Sequence, residues 1–206
     1  MYLNPLLFVV FLACQAFLFN GGLWSNAIVL VNVVSAAMLA TSLFEPLASW
    51  LQPKEASYTF VYDFLAIWAV FAVAMIVMRG LTDALSKVKV RFKKPVDTIG
   101  GLLLSAWVGW VMVCFVLMTL HTAPLARNFM NGEFQPKPMD RMFYGLGPDR
   151  QWLAFVHKMS CGSLSRSGPK NNPQAHVFDP QGDFIFKYAS RREQFEKQLE
   201  TRVRVP

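Results

Sequence analysis

Charge is what the front of this chain lacks. Residues 1–44 contain no Asp, Glu, Lys or Arg. Over all 206 residues the charged fraction is 16%, against roughly 25% in ordinary soluble proteins. That shortage excludes a uniform globular domain. A hydrophobic content of 54% excludes a disordered chain. Cysteine is scarce as well. The three residues, Cys14, Cys114 and Cys161, lie far apart, which excludes a disulfide-stapled secreted domain. Catalytic signatures are missing too. The chain has no G-x-S-x-G and no phosphate loop, and His121, His157, His176 and Cys161 have no metal-ligand spacing. No catalytic, cofactor-binding or metal-binding residue is therefore expected, and no enzymatic activity. What is present is a series of long apolar runs followed by a basic tail. Residues 122–206 carry 13 of the 20 Lys and Arg. This pattern predicts an integral membrane protein.

About 20 apolar residues in a helix cross a hydrocarbon core of about 30 Å. The runs predict an all-α membrane protein with four transmembrane helices over residues 3–19, 23–44, 60–78 and 98–120. Asn20-Gly21-Gly22 breaks the first from the second, and Glu45-Pro46 closes the second. Residues 1–125 form the transmembrane domain, and residues 126–206 a polar, partly ordered tail containing short helices. The first run lacks the basic start and A-x-A site of a cleaved signal peptide, so it is read as a retained span.

Arg79, Lys87, Lys89, Arg91, Lys93 and Lys94 crowd the loop between spans three and four. Short loops rich in Lys and Arg stay in the cytoplasm, which puts both termini outside it. The tail is basic as well, but long domains cross largely regardless of charge. Within residues 80–92, Leu81, Ala84, Leu85, Val88 and Phe92 follow helical spacing. This suits a helix lying in the interface, with Lys87, Lys89, Arg91, Lys93 and Lys94 against anionic lipid head groups. The alternation over 87–92 also fits a strand.

Without a hydrophobic drive between helices in lipid, small residues and interhelical hydrogen bonds must supply the packing. Gly101, Ser105 and Gly109 share one face of span four, and Asn32, Ala36 and Ala40 one face of span two. The two faces are expected to make contacts within the chain or across a dimer. Asp63, Asn26, Asn32 and Ser35 are the candidate intramembrane polar site, with Asp63 near one end of its span. Asp97 is placed to cap the start of span four.

Asp97-Thr-Ile-Gly-Gly101, followed by Ser105 and Trp107-Val-Gly109-Trp110, resembles the colicin V production protein (CvpA) family. So do Gly22-Leu-Trp-Ser-Asn and Val33-Val-Ser35-Ala-Ala, the order of the four spans and their short loops. The resemblance covers residues 1–125. Val108 stands where the family often has Arg, Asn4 where it often has Asp, and the first turn lacks the family's charges. No role tied to those charges carries over. The resemblance implies a bacterial multi-pass inner-membrane protein linked to toxin production or export and to envelope integrity, with no enzymatic activity to transfer.

In the tail, Asp149 is expected to cap a helix over residues 150–160, with Trp152, Phe155, Val156 and Met159 on one face and Gly162 as its stop. Residues 163–175 read as mobile, and 176–186 as a hairpin or an extended piece around a turn at 179–182. Ser190-Arg-Arg-Glu193 reads as the capping box of a last helix, with Phe195 and Leu199 as its apolar face. An apolar and basic helix of this kind suits a membrane surface or a partner protein.

Function is therefore expected to run through an unidentified membrane or envelope partner, or a second copy of the chain, and not through nucleic acid. The competing reading is a small channel or transporter subunit with Asn26, Asn32, Ser35 and Asp63 along its path. A membrane enzyme would need a catalytic role for His157.

Overall fold

Every apolar run ahead of the tail is helical. The computed structural model describes residues 2–51, 59–86, 90, 92–125, 134, 137, 139–162, 164 and 176–204, with side chains described up to residue 197 apart from 59 and 60. Among these residues there is no strand, and six helices follow in order. They are α1 (Leu3–Leu18), α2 (Gly22–Leu51), α3 (Thr59–Leu85), α4 (Lys94–Thr122), α5 (Pro148–Cys161) and α6 (Phe184–Arg204). Three of them, α2, α3 and α4, are long and apolar enough to cross a membrane. At 30, 27 and 29 residues they rise about 45, 40 and 44 Å. Each exceeds a hydrocarbon core of about 30 Å. The apolar α1 is shorter, at 16 residues.

α4 is the hub. It touches α1, α2, α3, α5 and α6, while α2 also packs along α3. Its own surface divides in two. Val96, Ile99, Leu102, Leu103 and Trp107 are exposed in its first half, whereas most residues from Val108 to Thr122 are buried. The tail provides much of that cover. One core cluster joins Phe44, Ile67, Phe115 and Met118 to Trp152, Val156, Phe184 and Tyr188. A second joins Leu3, Leu7, Val113 and Leu117 to Phe134 and Met142. The tail is thus built into the core at one end of the bundle.

Three boundaries differ from the sequence reading. Helix two does not close at Glu45-Pro46 but runs on to Leu51. Pro46 has no N–H to donate to the Ser42 carbonyl, yet the extension is held because Phe44 and Ala48 are buried and Ser49 Oγ donates to the Pro46 carbonyl at 2.8 Å. Helix three continues through residues 80–85, which are therefore its last turns and not a separate interfacial helix. Lys93 and Lys94 are exposed at the start of α4. Lys87, Lys89 and Arg91 lie outside the described residues.

The tail helices start by other means than expected. α5 follows Gly147, whose φ of +57° favours glycine, and Asp149 is not its cap. α6 begins at Phe184, well before Ser190. The turn at 179–182 is present, with the Gly182 N–H donating to the Asp179 carbonyl at 3.1 Å. The Asp179 carboxylate then accepts the N–H groups of Asp183 and Phe184 at 2.9 and 3.3 Å. The segment expected as a hairpin or extended piece is therefore a turn that nucleates a helix. Ser190 Oγ bonds back to the Lys187 carbonyl inside that helix. Apart from Leu164, residues 163–175 lie outside the described residues, as does the side chain of Leu199.

Candidate functional site

The two ends of the bundle carry different polar chemistry. At the end formed by the α1–α2 turn, neighbours cap one another's termini. Asn26 Nδ2 donates to the carbonyls of Leu18 and Gly101 at 3.1 and 2.9 Å. Asp97 Oδ1 accepts the Leu23 N–H at 2.9 Å. Asp97 therefore satisfies a free N–H of α2, where the sequence pointed to its own helix. A Cβ on Gly101 would sit 3.1 Å from the Gly22 carbonyl carbon, so the two backbones approach closely only because glycine stands there.

At the other end the tail supplies partners for polar groups on the spans. Asp63, 3% exposed in the first turns of α3, accepts hydrogen bonds from the Tyr188 hydroxyl at 3.0 Å and from Arg191 Nη1. Lys187 Nζ meets Glu45 Oε1 at 2.7 Å, half-exposed. At the end of α4, His121 Nε2 lies 3.0 Å from Asp149 Oδ2, both side chains fully buried. Arg192 Nη1 donates to the His121 carbonyl at 2.9 Å and stands 3.5 Å from Nδ1. A neutral imidazole with its proton on Nε2 suits both neighbours. The Arg192 guanidinium also lies over the Phe134 ring, 5.1 Å from its centroid. Trp152 Nε1 donates to Thr41 Oγ1 at 3.0 Å.

The electrostatics fit a closed joint. Burial, and then the Asp63 charge, push the Tyr188 hydroxyl well above its usual range, so it donates as a neutral phenol. Burial lowers Arg192 to about 10, which leaves it cationic at neutral pH. A buried carboxylate is costly unless paired and hydrogen-bonded; Asp63 is paired with Arg191 and bonded to Tyr188 of the tail, while Asp149 Oδ2 meets the His121 ring and its Oδ1 is buried without a hydrogen-bond partner. Among the described residues no nucleophile is hydrogen-bonded to His121, and no group of three or more His, Cys, Asp or Glu is placed to hold a metal ion.

A family model described as colicin V production protein matches residues 4–135. The chain belongs to the colicin V production protein family. Its long apolar helices make it a membrane protein of that family. No curated protein and no solved structure matches the chain. The colicin V production match takes in α1 to α4 and reaches Phe134. Asp63, Glu45 and His121 therefore lie in the family region, while Asp149, Lys187, Tyr188, Arg191 and Arg192 lie beyond it. The closed end joins the two.

The small-residue faces meet other neighbours than each other. Gly101 faces the start of α2. Ser105 Oγ lies 2.7 Å from Gln15 Oε1 of α1, and a Cβ on Gly109 would meet the Phe11 ring at 2.9 Å. Asn32 Nδ2 donates to Thr82 Oγ1 of α3 at 3.0 Å, and Ala36 and Ala40 are fully buried in the main cluster. The polar set does not converge. Asp63 and Thr82, the partner of Asn32, are separated by about 28 Å along α3. Asn26 sits at the turn end, and Ser35 is half-buried on α2. His157 ties the tail together, its Nδ1 2.9 Å from the Phe178 carbonyl. The sequence reading missed Tyr188, Arg191, Arg192 and the His121–Asp149 pair. The signal was the stripe Phe184, Ile185, Tyr188, Arg191, Arg192, whose three- and four-residue steps place aromatic and cationic groups on one face of α6.

Proposed function

We propose that the protein is a multi-pass protein of the bacterial inner membrane that acts in toxin production or export and in envelope maintenance. It works through partner proteins and without enzymatic chemistry of its own. The family match over residues 4–135 carries this reading. α1 is the fourth crossing: Phe8, Val9, Leu12 and Phe17 are exposed on it, as lipid-facing residues would be, and Leu3 and Leu7 pack against α4 residues. The basic loop between α3 and α4 stays in the cytoplasm on anionic head groups. Both termini and the tail-covered end then face outward, where an envelope protein or a second copy docks. The channel reading gains no support from a converging path, because Asp63 bonds to α6 while the Asn26 and Asn32 amide nitrogens bond to helices at other levels of the bundle.

The test has two parts. Cys161 is exposed, Cys114 buried and Cys14 half-buried, so an impermeant thiol reagent reports on the tail. Labelling in intact cells whose outer envelope admits the reagent supports the outward tail; labelling only after the inner membrane is breached inverts it. In cells that secrete the toxin, loss of this protein is expected to reduce secreted activity, and undiminished secretion overturns the functional reading. Solute flux through the purified protein in liposomes, lost in Asp63→Asn, would revive the channel.

A further inference from the structure

An apolar groove of about 330 Å³ opens on the side of the bundle between α2, α4 and α5. Leu30 and Val34 form one wall, and Trp107, Trp110, Val111 and Cys114 the other. Gln151, Trp152 and Phe155 of α5 complete it. Gln151 is the one polar residue in the lining, and its Oε1 accepts the Trp110 indole N–H at 3.2 Å, so the rim is held by a hydrogen bond. The groove runs on into exposed apolar surface at Val31, Leu103 and Trp107. These residues belong to helices long and apolar enough to span a membrane, so the groove borders hydrocarbon and not water.

The charge at its rim narrows the occupant further. α5 lies over the groove, and Gln151, Phe155 and Lys158 share one stripe of it at helical spacing. Lys158 is exposed and has no acidic partner among the described residues. A hydrocarbon-lined slot with a cationic edge complements one amphiphile class.

We propose that this groove seats an acyl chain of an anionic phospholipid, whose phosphate lies against Lys158 on the edge of α5. The site is distinct from the basic loop at the other end of the bundle. It rests on the reading of α2 and α4 as membrane spans, not on a role in toxin production.

Trp107 and Trp110 line the groove and report on it. The full chain is placed in vesicles of zwitterionic phospholipid doped with a minor amount of lipid brominated on its chains. The brominated lipid is a phosphatidylglycerol in one series and a phosphatidylcholine in the other. One cation near a membrane surface contributes about a five-fold preference for anionic lipid. Tryptophan quenching per brominated lipid is therefore expected to be several-fold stronger for the anionic series. Lys158→Gln should cut that preference about five-fold. Val34→Phe, which fills the groove, should lower the excess quenching to the share that Trp24 at the turn end reads from the basic loop. Replacing the three groove tryptophans, Trp107, Trp110 and Trp152, by Phe should lower it to the same level. Equal quenching by the two lipids in the unaltered protein overturns the proposal, whether or not Val34→Phe folds. So does an excess left undiminished by loss of Trp107, Trp110 and Trp152, because it then arises elsewhere.

Discussion

Replacing Asp63 by Ala removes the acceptor shared by Tyr188 and Arg191. The Tyr188 side chain is buried, so its hydroxyl loses its partner without gaining water. The Arg191 side chain, 23% exposed, loses the Asp63 carboxylate. Breaking a buried pair by removing one member costs about 3–5 kcal/mol. Arg191 can turn its head toward water, so the lower end, about 3 kcal/mol, applies. With a factor of ten for every 1.4 kcal/mol, the undocked tail should become about a hundred-fold more populated. Hydrogen exchange read by mass spectrometry on the protein in nanodiscs measures this directly. Amides of α6 should exchange about a hundred-fold faster, while α2 and α4 keep their protection. Asp63→Asn keeps an acceptor for Tyr188 and should cost about half as much, near 1.5 kcal/mol. Unchanged exchange across α6 in Asp63→Ala would refute the argument that this carboxylate holds the tail.

Asp97→Ala should destabilise the bundle by about 1 kcal/mol, the usual worth of a helix cap; an unchanged unfolding midpoint in detergent would show that the Leu23 N–H finds another acceptor. Gly101→Val should cost about 1–3 kcal/mol through overpacking against the Gly22 backbone, read in the same unfolding titration, and full stability would contradict the close approach. Trp152→Phe deletes the indole N–H that reaches Thr41 while keeping an aromatic ring, and should cost about 1 kcal/mol with faster exchange confined to α5. An effect spread evenly over the bundle would argue against a local joint.

The spans were legible because their signal is local. A run such as residues 98–120 is uncharged throughout, and no partner is needed to see that it suits hydrocarbon. Small residues were legible as packing residues for the same reason, since a missing Cβ announces close approach wherever the neighbour comes from. Which neighbour comes is a tertiary fact. Ser105 and Gly109 face Gln15 and Phe11 of α1, and nothing in their spacing distinguishes α1 from α2. Helix ends were misread where burial overrode local signals. Glu45-Pro46 is a proper stop for an isolated helix, but Phe44 just before it and Ala48 just after it are buried in the core. Asp97 and Asp149 carried cap signatures and serve other elements, the Leu23 N–H and the His121 imidazole. The tail was hardest to read. Its last helix read as a face for a membrane surface or a partner protein because the partners of its charges, Asp63 and the His121 carbonyl, are distant in sequence.

The tail closes one end of the membrane bundle. Glu45 and Lys187 form its most exposed joint, at 2.7 Å, and an exposed ion pair contributes little stability, about 0–1 kcal/mol, so both can be changed to Cys without undoing the fold. In a Cys161→Ser background, Glu45→Cys with Lys187→Cys should be bridged rapidly by a short bis-thiosulfonate in native membranes. Absence of the bridge in otherwise folded protein would contradict a tail docked on this end.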